Sequence, residues 1–174
     1  RNLVDTLLPR LPVNAASAAM RSLMRRLLLS PAEAPRGESE SGGLIALRIE
    51  LLAAMGDLAG AHQLLTAIPK RDHNERLIRI DADSRFLAND NHRACNLATR
   101  QIAERASSYW QKAFIFCQAL AGEHQKAALG VSLLREMGAK DEVFFSLVEA
   151  LALGAAADME SLPDPSPLHL AVAR

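Results

Sequence analysis

Gly56-Asp57-Leu58-Ala59-Gly60-Ala61, Asn89-Asp90-Asn91-His92-Arg93-Ala94 and Gly122-Glu123-His124-Gln125-Lys126-Ala127 fall on one another when the 174-residue chain is slid along itself by 33 positions. Each copy opens on a residue that tolerates positive φ, continues with an acidic residue and reaches an alanine four residues later. The first residue type closes a helix and the second offers oxygens to the free amides of the next one. A fixed period of this size, with no strand pattern between the copies, marks helical hairpins that stack and bury their faces against one another. Such an array points to an interaction scaffold rather than an enzyme.

Outward from these turns, the first copy begins with an apolar helix carrying Leu44, Ile45, Leu47, Ile49, Leu51 and Leu52. Its second helix spans about 58–68 and stops at Pro69. The second copy pairs helices near 74–88 and 91–105, and the third pairs 108–121 with 124–137, closed by Gly138. A fourth copy supplies one helix through Phe144, Leu147, Val148 and Leu151, with Gly154-Ala155 near the turn. Its second helix is barred by Pro163, Pro165 and Pro167, each worth about 3 kcal/mol inside a helix. Ser166 and Pro167 instead read as the cap and first position of a new helix that the chain leaves unfinished. The expected organisation is an N-terminal helical hairpin over 1–30, a flexible linker over 31–43, three and a half repeats over 44–154, and a proline-rich loop with a truncated helix over 155–174. In the N-terminal part, Leu3, Leu7, Leu8 and Leu11 form the first helix; Asn14 caps the second, which carries Ala18, Leu23, Leu27 and Leu28.

Composition agrees with an all-α class, since aromatics make up 4% of the chain and few residues favour strands. Lys+Arg and Asp+Glu are equal at 20 each, which removes the general attraction that nucleic acid or an anionic membrane requires. No apolar run reaches the roughly 20 residues needed to span a bilayer, so no direct membrane insertion is expected. The surplus of Arg over Lys and the abundance of Ala are what a GC-rich bacterial genome gives.

Hairpins of this period, with Gly-Asp at the turn and Ala61, Ala94 and Ala127 at the small position of the second helix, resemble the tetratricopeptide repeat family. The large apolar place four residues on is Leu65 and Val131, with Ala98 in the middle copy. The family's glycine in the first helix is replaced by Ile49, Ala82 and Ile115, and its leucine by Arg48 in the first copy. The likeness covers about 44–153. It implies a right-handed superhelix whose first helices line a concave groove for a peptide or protein partner. Carried over by position, that groove presents Ala46, Glu50 and Ala53, then Arg76, Arg79, Asp83 and Phe86, then Tyr109, Lys112 and Phe116, then Glu142, Phe145 and Glu149. Arg76, Arg79 and Lys112 beside aromatic faces suit a carboxylate or acidic segment. The competing reading makes the aromatics shared core and the arginines solvated surface.

No cofactor or catalytic site is expected. His62, His73, His92, His124 and His169 contain no ligand pair at helical spacing with an adjacent glutamate, Asp81-Ala82-Asp83 lacks the rest of a calcium loop, and no serine sits in a nucleophile elbow. Cys95 and Cys117 stand level across a turn near 106–107. In an oxidising compartment they would form a disulfide, and in cytosol two packed thiols, the more frequent fate. The compartment, cytoplasm or periplasm, stays open. The function expected is a protein-interaction scaffold. The alternatives are a structural or oligomerisation domain of a larger bacterial envelope or secretion-associated protein, including a homo-oligomer, and a helical accessory region of a multidomain enzyme.

Overall fold

The chain turns at Gly56, Asn89 and Gly122, where φ is 78°, 61° and 75°. At each turn the following amide reaches back over the helix end, Asp57 N to Leu52 O, Asp90 N to Arg85 O and Glu123 N to Gln118 O, all at 2.9 Å. The turn residue itself donates to Ala53 O, Phe86 O or Ala119 O at 2.9–3.0 Å. This double closure satisfies the last carbonyls of one helix, and the acidic residue that completes it is the N-cap of the next. Asn89 is the only described residue other than glycine with positive φ. Three positions 33 apart therefore share one backbone conformation, and that conformation dictates the residue types the sequence repeats.

The computed structural model describes residues 6–31, 43–69, 74–105, 107–155 and 165–173. All regular structure among them is helical: a 3₁₀ turn at Leu8–Arg10, then α1 (Ala18–Leu29), α2 (Gly43–Ala54), α3 (Leu58–Leu65), α4 (Glu75–Leu87), α5 (Asn91–Glu104), α6 (Ser108–Leu120), α7 (His124–Glu136), α8 (Glu142–Leu153) and α9 (Pro167–Val172). The protein is all-α. It divides into two compact units, residues 1–84 and 85–174, and the division falls within α4. Leu3, His73, Pro163, position 106 of the expected turn and residues 32–42 of the expected linker lie outside the described residues.

In the first unit, α2 packs against α3 and α1. Ile49 and Leu52 of α2, Ala61 and Leu65 of α3, Leu77 of α4 and Leu28 of α1 close the core. The end of α3 tightens into i→i−3 bonds, Ala67 N to Leu64 O and Ile68 N to Leu65 O, because Pro69 disfavours α geometry in the residue before it. That is why α3 ends three residues before the expected 68. One expectation for the N-terminal part is corrected. Among the described residues before Pro12, positions 6–7 are helical and run into the 3₁₀ residues Leu8–Arg10, and Ser17, not Asn14, caps α1 through Met20 N. Met24 and Leu28 are the residues α1 buries, one turn apart, while Leu23 and Leu27 face outward.

Arg48 explains its own departure from the repeat pattern. It is 8% exposed and donates to the carbonyls of Leu28 and Ser30, which end α1. A guanidinium there both satisfies orphan carbonyls and opposes the negative end of the helix dipole, while its burial lowers its pKa. Arg25 of α1 adds a 2.6 Å bond to Asp57, the residue that caps α3 through Gly60 N at 3.0 Å. In this way α1 is tied to both α2 and the start of α3.

In the second unit, α6 packs against α5, α7 and α8, and α9 packs on α8. Trp110 and Ala113 of α6 are fully buried, as are Phe144 and Phe145 of α8. Ala94 and Ala127, like Ala61 in the first unit, have no exposed surface, so the small position of each second helix is a point of close helix approach. α9 begins as the sequence indicates, with Ser166 as N-cap and Pro167 at the first position. It buries Leu168, Ala171 and Val172, which ties the segment after the prolines to this unit.

Candidate interaction site in the second unit

Burial decides what the expected groove residues can offer. In the first unit Arg76 is exposed and reaches Glu50 at 3.3 Å, Arg79 bonds Glu75 at 2.8 Å, and Asp83 is half-buried. In the second unit Phe86 and Phe116 are buried with ring centroids 5.2 Å apart, and Phe145 has no exposed surface. Of the two readings, shared core fits the burial of these three rings, although Phe86 and Phe116 also border a cavity of about 200 Å³ with Asn89 and Asn91. The Tyr109 and Trp110 rings stand nearly perpendicular with their centroids 4.8 Å apart. Arg135 lies 4.8 Å from the Phe145 centroid and bonds both Glu149 (3.0 Å) and Glu142 (3.2 Å), so Glu149 is part of a surface clamp between α7 and α8.

Lys112 belongs to a polar junction. Its Nζ lies 2.5 Å from Asp141 Oδ2, and His169 Nε2 meets the same oxygen at 3.1 Å. Asp141 Oδ1 accepts from Phe144 N at 3.1 Å and caps α8. Burial raises the Asp141 pKa, but the bonds from Lys112, Phe144 N and His169 outweigh it and hold the carboxyl below its ordinary value. Ser166 N donates to His169 Nδ1 at 3.2 Å, and the ring's other nitrogen, Nε2, faces Asp141. Ser166 Oγ accepts from His169 N and is not aimed at the ring, so serine, histidine and aspartate here are joined as caps rather than as nucleophile and base. In the first unit, His62 Nδ1 meets both Ser84 Oγ (3.2 Å) and Asp81 Oδ1 (3.4 Å). Two partners on one ring nitrogen likewise do not make a relay. His92 contacts Asn96, and His124 is exposed. Among the described residues no group of three His, Cys, Asp or Glu is placed to hold a metal, and no helix is long and apolar enough to cross a membrane.

Cys95 of α5 and Cys117 of α6 are joined as a disulfide, with their Cα atoms 5.6 Å apart. Both residues are half-buried rather than sealed in the core. The bond staples the hairpin that surrounds Trp110, whose Nε1 is buried without a hydrogen-bond partner, as is Gln101 Oε1 on the facing helix.

The residues that sequence reasoning missed lie on α7 and at its C-cap, Met137. Its inward stripe is Ala127, Val131 and Leu134, but Leu129, Leu133 and Met137 stand 61%, 50% and 70% exposed. They border an apolar cavity of about 430 Å³ with Phe114 and Ile115 of α6 and Ile102 of α5; Gln111, Gln118 and Lys126 supply the polar part of its lining. Gly130 also lines it. A Cβ built there would lie 2.6 Å from Ile115 Cγ1, so only glycine lets α7 approach α6 this closely. The signal was present in the spacing: 129, 133 and 137 recur every four residues on a helix that already has a complete buried stripe. Large apolar groups grouped at the surface around a cavity mark a place where another apolar surface fits. Searches against protein-family models, curated proteins and solved structures find no match to this chain.

Proposed function

We propose that the chain is a non-enzymatic protein-interaction module built of tetratricopeptide-like hairpins, whose second unit takes an apolar helical segment of a partner into the groove between α6 and α7. The observation that carries this reading is the exposure of Leu129, Leu133 and Met137 around an apolar cavity. A helix laid there would present side chains at i, i+3, i+4 and i+7, the pattern by which helices enter grooves. The repeated turns at Gly56, Asn89 and Gly122 support the repeat assignment. Lys112 and the buried aromatics do not favour an acid-gripping face, because Asp141 and the core already engage them. Arg76, Arg79 and Asp83 belong to the first unit and are no part of this site. The test is selection from a displayed library of helical peptides by the wild type and by Leu133→Glu/Met137→Glu. The wild type should enrich peptides with a single apolar stripe, and the variant should bind those peptides at least tenfold more weakly. Enrichment of no helical-period peptides, or equal binding by both proteins, would overturn the reading.

A further inference from the structure

The cavity of about 200 Å³ in the second unit lies against Phe86 of α4, Phe116 of α6, Leu151 of α8 and Val172 of α9, with Asn89 and Asn91 of the α4–α5 turn also in its lining. It shares no residue with the α6–α7 groove. The two phenyl rings are buried with their centroids 5.2 Å apart, so part of its wall is core. Among the described residues no charged side chain lines it. Asp90, between the two asparagines, is engaged by Arg85 at 3.3 Å and by Arg93 at 3.4 Å. An ionised ligand would lose its water here without gaining a counter-charge, which favours a neutral one.

The asparagines are where this copy departs from its own repeat. Slid by 33 positions, Asn89 falls on Gly56 and Gly122, and Asn91 on Leu58 and His124. All three turn residues take positive φ, which glycine adopts at lower cost than asparagine, so the turn does not call for the Asn89 amide. Nor does the helix start call for an amide at 91, since Leu58 begins α3. The two amides meet, Asn91 Nδ2 donating to Asn89 Oδ1 at 3.0 Å. A pair joined by one bond keeps N–H groups on Asn89 and a carbonyl on Asn91 for other partners. Donor and acceptor so placed match the edge of another amide, which offers both in return. Volume sets the rest. An apolar cavity of about 150 Å³ takes up benzene, so this one has room for a ring of that size and a small polar group.

The geometry points to a binding site for a small neutral molecule with one ring and a carboxamide or lactam edge, its ring against Phe86, Phe116 and Leu151 and its amide on Asn89 and Asn91. The site is independent of the α6–α7 groove, so either can fail alone.

The experiment is titration of the full chain with benzamide, followed in NMR by the side-chain amide signals of Asn89 and Asn91 and the methyl signals of Leu151 and Val172. A ligand of this size that fits binds at about 1 mM or tighter. Benzamide should move all four residues together with one such affinity. Toluene and benzoate should bind at least tenfold more weakly, toluene for want of the amide and benzoate because of its charge. Asn89→Gly/Asn91→Leu installs the residue types of the first copy, Gly56 and Leu58, so the hairpin folds, which circular dichroism checks. It should bind benzamide at least tenfold more weakly than the wild type while its toluene affinity is unchanged. Absence of shifts at these four residues overturns the proposal, as does toluene or benzoate binding the wild type as well as benzamide does. A double variant that binds benzamide like the wild type removes the amides from the site. One that loses toluene as well shows that the asparagines act only through the turn, and either result overturns the proposal.

Discussion

Replacing Cys95 and Cys117 together by alanine removes the covalent tie across the α5–α6 hairpin while deleting only two half-buried sulfur atoms. The bond closes a loop with a sequence separation of 22 residues. Constraining the unfolded chain to that loop costs it about 11 cal/mol/K of entropy, or about 3.4 kcal/mol near room temperature. The chain's single tryptophan, Trp110, lies inside the loop and is fully buried, so its fluorescence reports the second unit alone. With a urea dependence of about 1 kcal/mol per molar, at the low end of the typical range for a unit this small, the Trp110 transition should move down by about 3 M. Treating the oxidised wild type with dithiothreitol should move it by a similar amount, and the same treatment of the double variant should change nothing. A shift equivalent to less than about 0.5 kcal/mol would refute the reasoning, as would alkylation of two thiols in the oxidised native protein.

Arg48→Met keeps the apolar stem but leaves the carbonyls of Leu28 and Ser30 without their charged donor, at a cost of about 2 kcal/mol to the first unit; amide exchange should show α1 opening first while Trp110 fluorescence is unchanged. Asn89→Ala should destabilise the second unit by about 1 kcal/mol because alanine tolerates φ of 61° poorly, whereas Asn89→Gly should stay within about 0.5 kcal/mol of wild type in thermal melts. Asp141→Asn should lower stability at neutral pH by about 1.5 kcal/mol. The folded pKa of Asp141 is depressed, so its contribution is present above the ordinary carboxylate value and is lost as pH falls through the folded one; urea titrations should find wild type and variant converging as pH falls below the ordinary carboxylate range.

The turns were legible in the sequence because backbone conformation selects residue type there. Positive φ at Gly56, Asn89 and Gly122 leaves few choices, and Ser166 before Pro167 combines two independent signals for a helix start. Side-chain direction was not legible to the same degree. Spacing shows which residues of a helix share a face, but not which neighbour covers it. Phe86, Phe116 and Phe145 thus took groove positions by register and are buried, while Leu133 and Met137, which the register gave no groove place, are exposed. Cys95 and Cys117 could be placed at one level, but only the rotational phase of the two helices decides whether their sulfurs meet. Arg48 read as a flaw in the repeat until its partners, 18 and 20 residues earlier, were located.

Those partners set a limit on how the protein can be shortened. A chain begun at α2 would keep every repeat turn, yet it would strand a cation over the apolar surface left by Leu28 and Met24. Domain trimming guided by the 33-residue period alone would therefore produce a sticky, destabilised front end. Grafting further repeats ahead of α2 would need residue 48 returned to an apolar side chain in the same step.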